Sequence, residues 1–283
     1  VLEAAIDPRI NRISLLSNRY YLSTWENIES GTDMVQIANN AAGIGALTLT
    51  GTENVAIVVH GRKSGVYSEF GHALRTSLNL ADWKLVVILV DWSFVSSVSY
   101  NQAVLLVPSV AEDLFGFIAQ MESSGKLDRN LLHLIGFDLG AHIVGIASRH
   151  STARARKITA LSPAGDRWDA FSLRLRATDA QFVETIHTDV VGTRAYGVKK
   201  AIGGLDFFPN GATSQPGCAE GDNWCYHNRA WRLFAATVDN GGDLLGLRCD
   251  SMTQVKNNTC VGLPPAVMVV YVISYHYHTS VRT

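Results

Sequence analysis

Residues 131–149 constrain the chain more than any other segment. Leu-Leu-His-Leu-Ile at 131–135 reads as a short strand, and Gly136-Phe137-Asp138-Leu139-Gly140 follows without a break. A helix rich in small residues then fits residues 141–149. Strand, G-x-x-x-G and closely packed helix is the layout of a nucleophile elbow, whose central side chain stands above a sheet on a strained turn. The glycines are needed because the strand and helix backbones approach closely there. The central residue is Asp138, where a serine would normally attack.

The rest of the chain supplies a sheet for such an elbow. Residues 54–60 read as a strand ending at His60-Gly61, and residues 83–90 as an apolar run ending at Asp91-Trp92. Residues 157–161 and 182–187 give further strands. Helices are expected over residues 67–78 and 101–121. In the second, Val104, Leu105, Val110, Leu114, Phe117 and Ile118 recur near the helical period. Pro108 lies inside it and is expected to kink or split it. Strands that are continuously apolar indicate a mostly parallel central sheet flanked by helices on both faces, the α/β class. Without a Pro/Ser-rich linker or a composition shift, residues 1–283 read as one domain, with strand-rich decoration after about residue 190.

Composition excludes several functions. Lys plus Arg number 24 and Asp plus Glu 25, a net charge of −1 with no basic block, which argues against nucleic acid or an acidic membrane surface as partner. The longest apolar stretch, residues 266–273, is far below the roughly 20 residues that span a bilayer, so no transmembrane segment is expected. The start at Val1, with no charged-then-apolar leader, reads as a removed signal peptide or a trimmed end.

Four cysteines, Cys218, Cys225, Cys249 and Cys260, allow three pairings. Sequential pairing closes two short loops and asks least of the fold. No C-x-x-C pair is present, which weighs against zinc. Asn257-Asn258-Thr259 is a glycosylation sequon. Cysteines and sequon together suggest a secreted, oxidised protein.

The chain resembles the neutral lipase family, which includes pancreatic-type lipases, venom phospholipases A1 and insect lipase-like and yolk proteins. The likeness rests on Val58-Val59-His60-Gly61, Val90-Asp91-Trp92, His133-Leu-Ile-Gly136, Gly140-Ala-His142, Leu161-Ser-Pro-Ala-Gly165, Asp179-Ala-Gln-Phe-Val183, Ile186-His-Thr188, Asp206-Phe-Phe-Pro-Asn210 and Cys225-Tyr-His227-Asn-Arg-Ala230. It implies the α/β-hydrolase fold and stops near Tyr277, before the sandwich domain of the vertebrate enzymes. It also places the remnant triad: Asp138 at the serine position, Ser162 at the position of the acid, and His227 at the histidine. The oxyanion donors would be the N–H groups of Arg62 and Leu139, with Arg62 standing where the family usually has an aromatic residue.

Ester hydrolysis by this machinery needs a hydroxyl that histidine deprotonates and a carboxylate that holds the histidine tautomer. Asp138 has no hydroxyl, and its charge would repel a developing oxyanion. Ser162 cannot stabilise an imidazolium as a carboxylate does. The favoured reading is therefore a catalytically inactive secreted lipase homologue, a yolk-type storage protein or a carrier for a hydrophobic small molecule. Its ligand would be a fatty acid, lysolipid, steroid conjugate or pigment, bound near His60, Trp168 and Trp224. No cofactor and no metal are expected, and a homodimer is in keeping with the yolk-type relatives. One alternative is a hydrolase in which Asp138 itself attacks and His227 activates water, with Asp166 as a distant candidate for the orienting acid; another is a protein-interaction or defence role.

Other residues have plainer readings. His133 and His142 read as core histidines. His276 and His278 share a strand face, for which solvent exposure is simpler than a metal pair. Tyr271, Tyr275 and Tyr277 read as sheet packing. The basic stretch Arg149 to Lys157, with Arg154 and Arg156, reads as a solvated loop, and Lys199-Lys200 as solvent-facing. Under the resemblance, the loop closed by Cys218 and Cys225 covers the active site. Residues 219–224 are too few for the amphipathic flap of a triglyceride lipase.

Overall fold

The computed structural model describes residues 17–151, 153–168, 172–239, 244–257 and 259–267. The histidines and tyrosines of 271–278 and Asn258 lie outside the described residues. The first strand, β1 (Arg19–Ser23), pairs antiparallel with β2 (Val35–Ile37) across the short helix α1 (Trp25–Ser30). After α2 (Ala41–Gly45) come β3 (Val55–Val59), α3 (Glu69–Ala81), β4 (Val86–Asp91), α4 (Ser93–Ser96) and α5 (Tyr100–Ser123). The chain continues through β5 (Leu132–Phe137), α6 (Leu139–Arg149), β6 (Lys157–Leu161), β7 (Phe182–Ile186), β8 (Leu205–Phe207) and α7 (Asn223–Asp239).

The strands form one sheet in the order β2-β1-β4-β3-β5-β6-β7-β8, parallel from β4 to β8. This is the α/β-hydrolase fold. Its central strands are apolar throughout because both faces are covered. Val55, Ile57 and Val59 join the core beneath α5 and α6, whereas Ala56 and Val58 face α3 and α7. Burial of a whole strand on two faces removes the alternation that a half-exposed strand would show.

Local rules set the ends of these elements. Helix α3 begins at Glu69, two residues later than the sequence suggests, because the Ser68 hydroxyl accepts the Gly71 N–H and caps the helix. Tyr67 is left outside and exposed. Helix α5 runs through Pro108 without interruption, so the proline does not split it. By length and composition α5 could cross a membrane. Its Leu106, Val110, Leu114, Phe117 and Ile118 are instead buried in the core, with Phe117 stacked on Tyr20 at 3.7 Å.

Among its described residues, the segment after 190 carries three strands and two α-helices. Its longest element is α7, and β8 contributes only three residues to the sheet. A separate antiparallel pair follows, β9 (Leu245–Arg248) and β10 (Gly262–Val267), with α8 (Met252–Asn257) between them. The cysteines pair sequentially, Cys249 with Cys260 across this connection and Cys218 with Cys225 at the start of α7. Asn257 is exposed at the end of α8.

The basic stretch is not a solvated loop. Arg149 binds Asp179 at 2.9 Å and 2.5 Å and also donates to the carbonyls of Leu173 and Arg174. Arg154 donates to the Thr178 carbonyl. Lys157 is buried on β6, 3.4 Å from buried Glu184 on β7. Register sets the pairing: Lys157 lies opposite Phe182 of β7, which puts Glu184, two residues on, on the same face of the sheet. Lys199 and Lys200 are exposed.

Candidate active site

Asp138 sits at the tip of the elbow with φ 56° and ψ −118°, a conformation rare outside glycine. Backbone crowding enforces it. A Cβ on Gly136 would lie 2.6 Å from Ala141 Cα, and one on Gly140 would meet the carbonyl oxygens of Val59 and His60. Both glycines are thus required where β5, α6 and β3 converge.

The Asp138 carboxylate occupies the space where an oxyanion would form. Its Oδ2 accepts the Arg62 N–H at 2.9 Å. Its Oδ1 lies 3.4 Å from His227 Nε2, ion-pair distance without the alignment of a strong hydrogen bond. Burial would raise the carboxyl's pKa. Hydrogen bonding and charge from His227, with the Arg62 and Leu139 N–H groups, outweigh burial and hold it below the ordinary range. The Arg62 side chain turns away: it donates to the Val98 carbonyl at 3.2 Å and lies 6.0 Å from the Tyr100 ring centre.

His227 is buried one turn into α7, among the rings of Phe137 at 5.0 Å, Tyr196 at 5.5 Å and Trp224 at 6.4 Å. Its Nδ1 has no hydrogen-bond partner among the described residues. Ser162, at the end of β6 with φ 41°, is buried, and its Oγ has no partner either. The hydroxyl therefore does not orient the imidazole. Asp166 is exposed, and its carbonyl accepts the Tyr100 hydroxyl at 2.7 Å.

A carboxylate that sequence reasoning missed stands nearby. Asp189 follows β7, and its charge and that of His227 act on each other. Burial pushes its carboxyl up, against the opposing pull of the Tyr196 N–H, Asn223, His227 and Lys199. Its oxygens are taken by Asn223 Nδ2 at 2.6 Å and the Tyr196 N–H at 2.8 Å. The motif Ile186-His-Thr188 ends one residue short of it, and a carboxylate directly after a strand end was the signal available.

The residues assigned to ligand contact are dispersed. His60 is buried, its Nδ1 2.8 Å from the Gly61 carbonyl and its ring stacked on Trp92, so it shapes the oxyanion loop from behind. Trp168 is buried and stacked on His142 at 4.0 Å. Neither lines the aromatic cavity beside the site. That cavity, about 380 Å³, is walled by Phe70, Phe137, Trp224 and Trp231, with Lys63, Glu69 and Arg232 at its polar side. Trp224 is exposed and reaches it from the Cys218–Cys225 loop, whose last residues form the first turn of α7. Among the described residues, no group of three or more His, Cys, Asp or Glu side chains is placed to hold a metal.

His133 and His142 are core histidines. His133 meets Thr159 Oγ1 at 2.8 Å, and His142 meets the Ala164 carbonyl at 2.8 Å while accepting the Leu175 N–H at 3.2 Å. Burial pushes His142 down to about 4. A base depressed in the folded state leaves stability intact above its unfolded value and loses it as pH falls towards the folded one. Between pH 7 and 4.5 the loss from His142 is about 2–3 kcal/mol. Urea unfolding of the unchanged chain and His142→Gln at both pH values is expected to show a smaller decline in the variant.

Sheet, elbow and the histidine of α7 define an α/β-hydrolase domain. Residues 10–266 match the family described as Lipase, and the chain belongs to that family. It is 34% identical over 251 residues to lipase member H-B of Xenopus laevis, covering 84% of this chain and 52% of that protein. Lipase member H of Rattus norvegicus is 33% identical over 232 residues, covering 78% and 50% respectively. Pancreatic lipase-related protein 2 of Cavia porcellus is 28% identical over 255 residues, covering 88% and 58%. The chain thus spans about half the length of these relatives.

Proposed function

We propose that this lipase-family chain does not hydrolyse esters and serves as a secreted storage or carrier protein for a hydrophobic small molecule. One observation carries the reading: the Asp138 carboxylate fills its own oxyanion hole, with Oδ2 2.9 Å from the Arg62 N–H. A substrate carbonyl would have to displace a charged group already hydrogen-bonded there, and the attacking hydroxyl is missing. Loss of one triad member costs several orders of magnitude in rate, and here two of the positions carry other groups.

The aromatic cavity beside the elbow supports the binding role. Its walls suit an apolar body, and Lys63 at its polar side suits a single negative charge, as on a fatty acid, a lysolipid or a steroid conjugate. Two paired disulfides and the similarity to lipase member H agree with an oxidising, extracellular setting. The yolk-type assignment and homodimer formation rest on family resemblance.

Two measurements test the reading. Turnover of p-nitrophenyl butyrate and of phosphatidylcholine vesicles is expected at the level of Asp138→Ala; activity that this substitution abolishes would sink the proposal. Solvent extraction of the purified protein followed by mass spectrometry is expected to release one enriched apolar compound. Recovery of none argues for storage of the polypeptide itself.

A further inference from the structure

We propose that the Cys218–Cys225 disulfide is a thiol-exchange site, at which a small aliphatic thiol is held on Cys225 as a mixed disulfide while Cys218 leaves as a thiolate beside Arg229. The two sulfurs of this bridge have different surroundings. Arg229 Nη2 lies 3.6 Å from Cys218 Sγ and donates to the Pro216 carbonyl at 2.5 Å. Its Nε is buried without a hydrogen-bond partner among the described residues, so the guanidinium has a donor to spare. Cys225 is the third residue of α7, where a helix N-terminus contributes about half a positive charge. The Asp222 carboxylate accepts the Cys225 N–H at 3.0 Å and sets a full negative charge against that half. Charge therefore favours a thiolate on Cys218 over one on Cys225.

The asymmetry gives the exchange a direction. An incoming thiolate attacks the sulfur whose partner is the better leaving group. The new sulfur–sulfur bond forms on Cys225 as the Cys218–Cys225 bond breaks, and the electron pair goes to Cys218 Sγ. One disulfide and one thiolate become one disulfide and one thiolate, so no oxidant or reductant is consumed. Access matches this direction. Cys225 lines the aromatic cavity, whereas Cys218 lines a second cavity of about 540 Å³ with Gln215, Glu220 and Tyr226. A thiol that enters between the aromatic walls meets Cys225.

The loop outlasts the opening of its bridge. The Tyr226 hydroxyl accepts the Gly221 N–H at 2.9 Å and donates to the Ala219 carbonyl at 2.9 Å, a second anchor that needs no covalent bond. The other disulfide is an internal reference. Cys249 and Cys260 are half-buried, as Cys218 and Cys225 are, so exposure does not separate the two bridges. Cys249 Sγ, however, lies 3.7 Å from the Leu247 carbonyl oxygen, whose partial negative charge disfavours a thiolate.

The test incubates the intact, disulfide-bonded protein with reduced glutathione at neutral pH, traps free thiols with N-ethylmaleimide at early times, and maps peptides by mass spectrometry. Glutathione is expected on Cys225 and N-ethylmaleimide on Cys218, with this bridge opening about tenfold faster than Cys249–Cys260. Arg229→Gln is expected to slow the opening about tenfold and to spread glutathione over both sulfurs, and Arg229→Lys to keep most of the rate. The direction separates charge from packing, because removal of a guanidinium that merely braced the loop at Pro216 would speed the opening. Glutathione on Cys218 in the unchanged chain, equal opening of the two bridges, or an Arg229→Gln variant that opens as fast or faster overturns the proposal. The attachment site in the unchanged chain gives the answer even where Arg229→Gln fails to fold. The exchange needs neither ester turnover nor a bound compound, so its failure would leave the storage or carrier reading standing.

Discussion

Hydrolysis of p-nitrophenyl butyrate is expected to rise by about three orders of magnitude when Asp138→Ser and Ser162→Asp are combined. The first change removes the carboxylate from the oxyanion hole, leaving the Arg62 and Leu139 N–H groups free for a substrate carbonyl. The elbow already holds residue 138 at φ 56°, so a serine there inherits a strained position within reach of His227. The second change supplies an acceptor where Ser162 Oγ and His227 Nδ1 are both buried without partners. Asp138→Ser alone is expected to recover little, since a triad without its acid is about 10⁴-fold slower. Comparison of kcat/KM for the single and double variants decides the matter. A double variant no faster than Asp138→Ala would show that the site has drifted in more than these two positions.

The second large effect lies in the sheet. Lys157 and Glu184 face each other at 3.4 Å with 3% and 1% of their side chains exposed, and one Glu184 oxygen is buried without a partner. Lys157→Met is expected to cost about 3–5 kcal/mol in urea unfolding, because it leaves a buried carboxylate uncompensated. Lys157→Met with Glu184→Leu is expected to restore most of that loss, since an apolar pair needs no compensation. A double variant as unstable as the single one would contradict this account. Glu184 has its own pH signature. Burial raises its carboxyl above the ordinary range despite Lys157. The folded state then keeps a proton that the unfolded chain releases, so this contribution is fully present at low pH and fades as pH rises through the folded value.

The elbow and the central strands were legible because their signals are local. Gly136 and Gly140 bracket three residues centred on Asp138, and an unbroken apolar run such as Val55–Val59 has few other uses in a chain of this composition. Lys157 was misread because its burial depends on neighbours 24 residues before and 25 after it, His133 and Phe182, set by strand register. Asp189 was missed for the same reason, its relation to His227 arising only when α7 folds back over the strand ends. His60 and Trp168 lie next to the chemistry in sequence, yet their rings turn beneath the loop rather than into the cavity. Past the end of a strand, no periodicity predicts where a side chain points.

The crossing of backbones at Gly136 and Gly140 has an evolutionary corollary. The sharp bend is maintained by main-chain crowding, whatever side chain it displays. Purifying selection on foldability alone would therefore preserve it in descendants that have abandoned their ancestral reaction. Among such descendants, the bend testifies to ancestry, and only the residue at its apex reports on present-day chemistry.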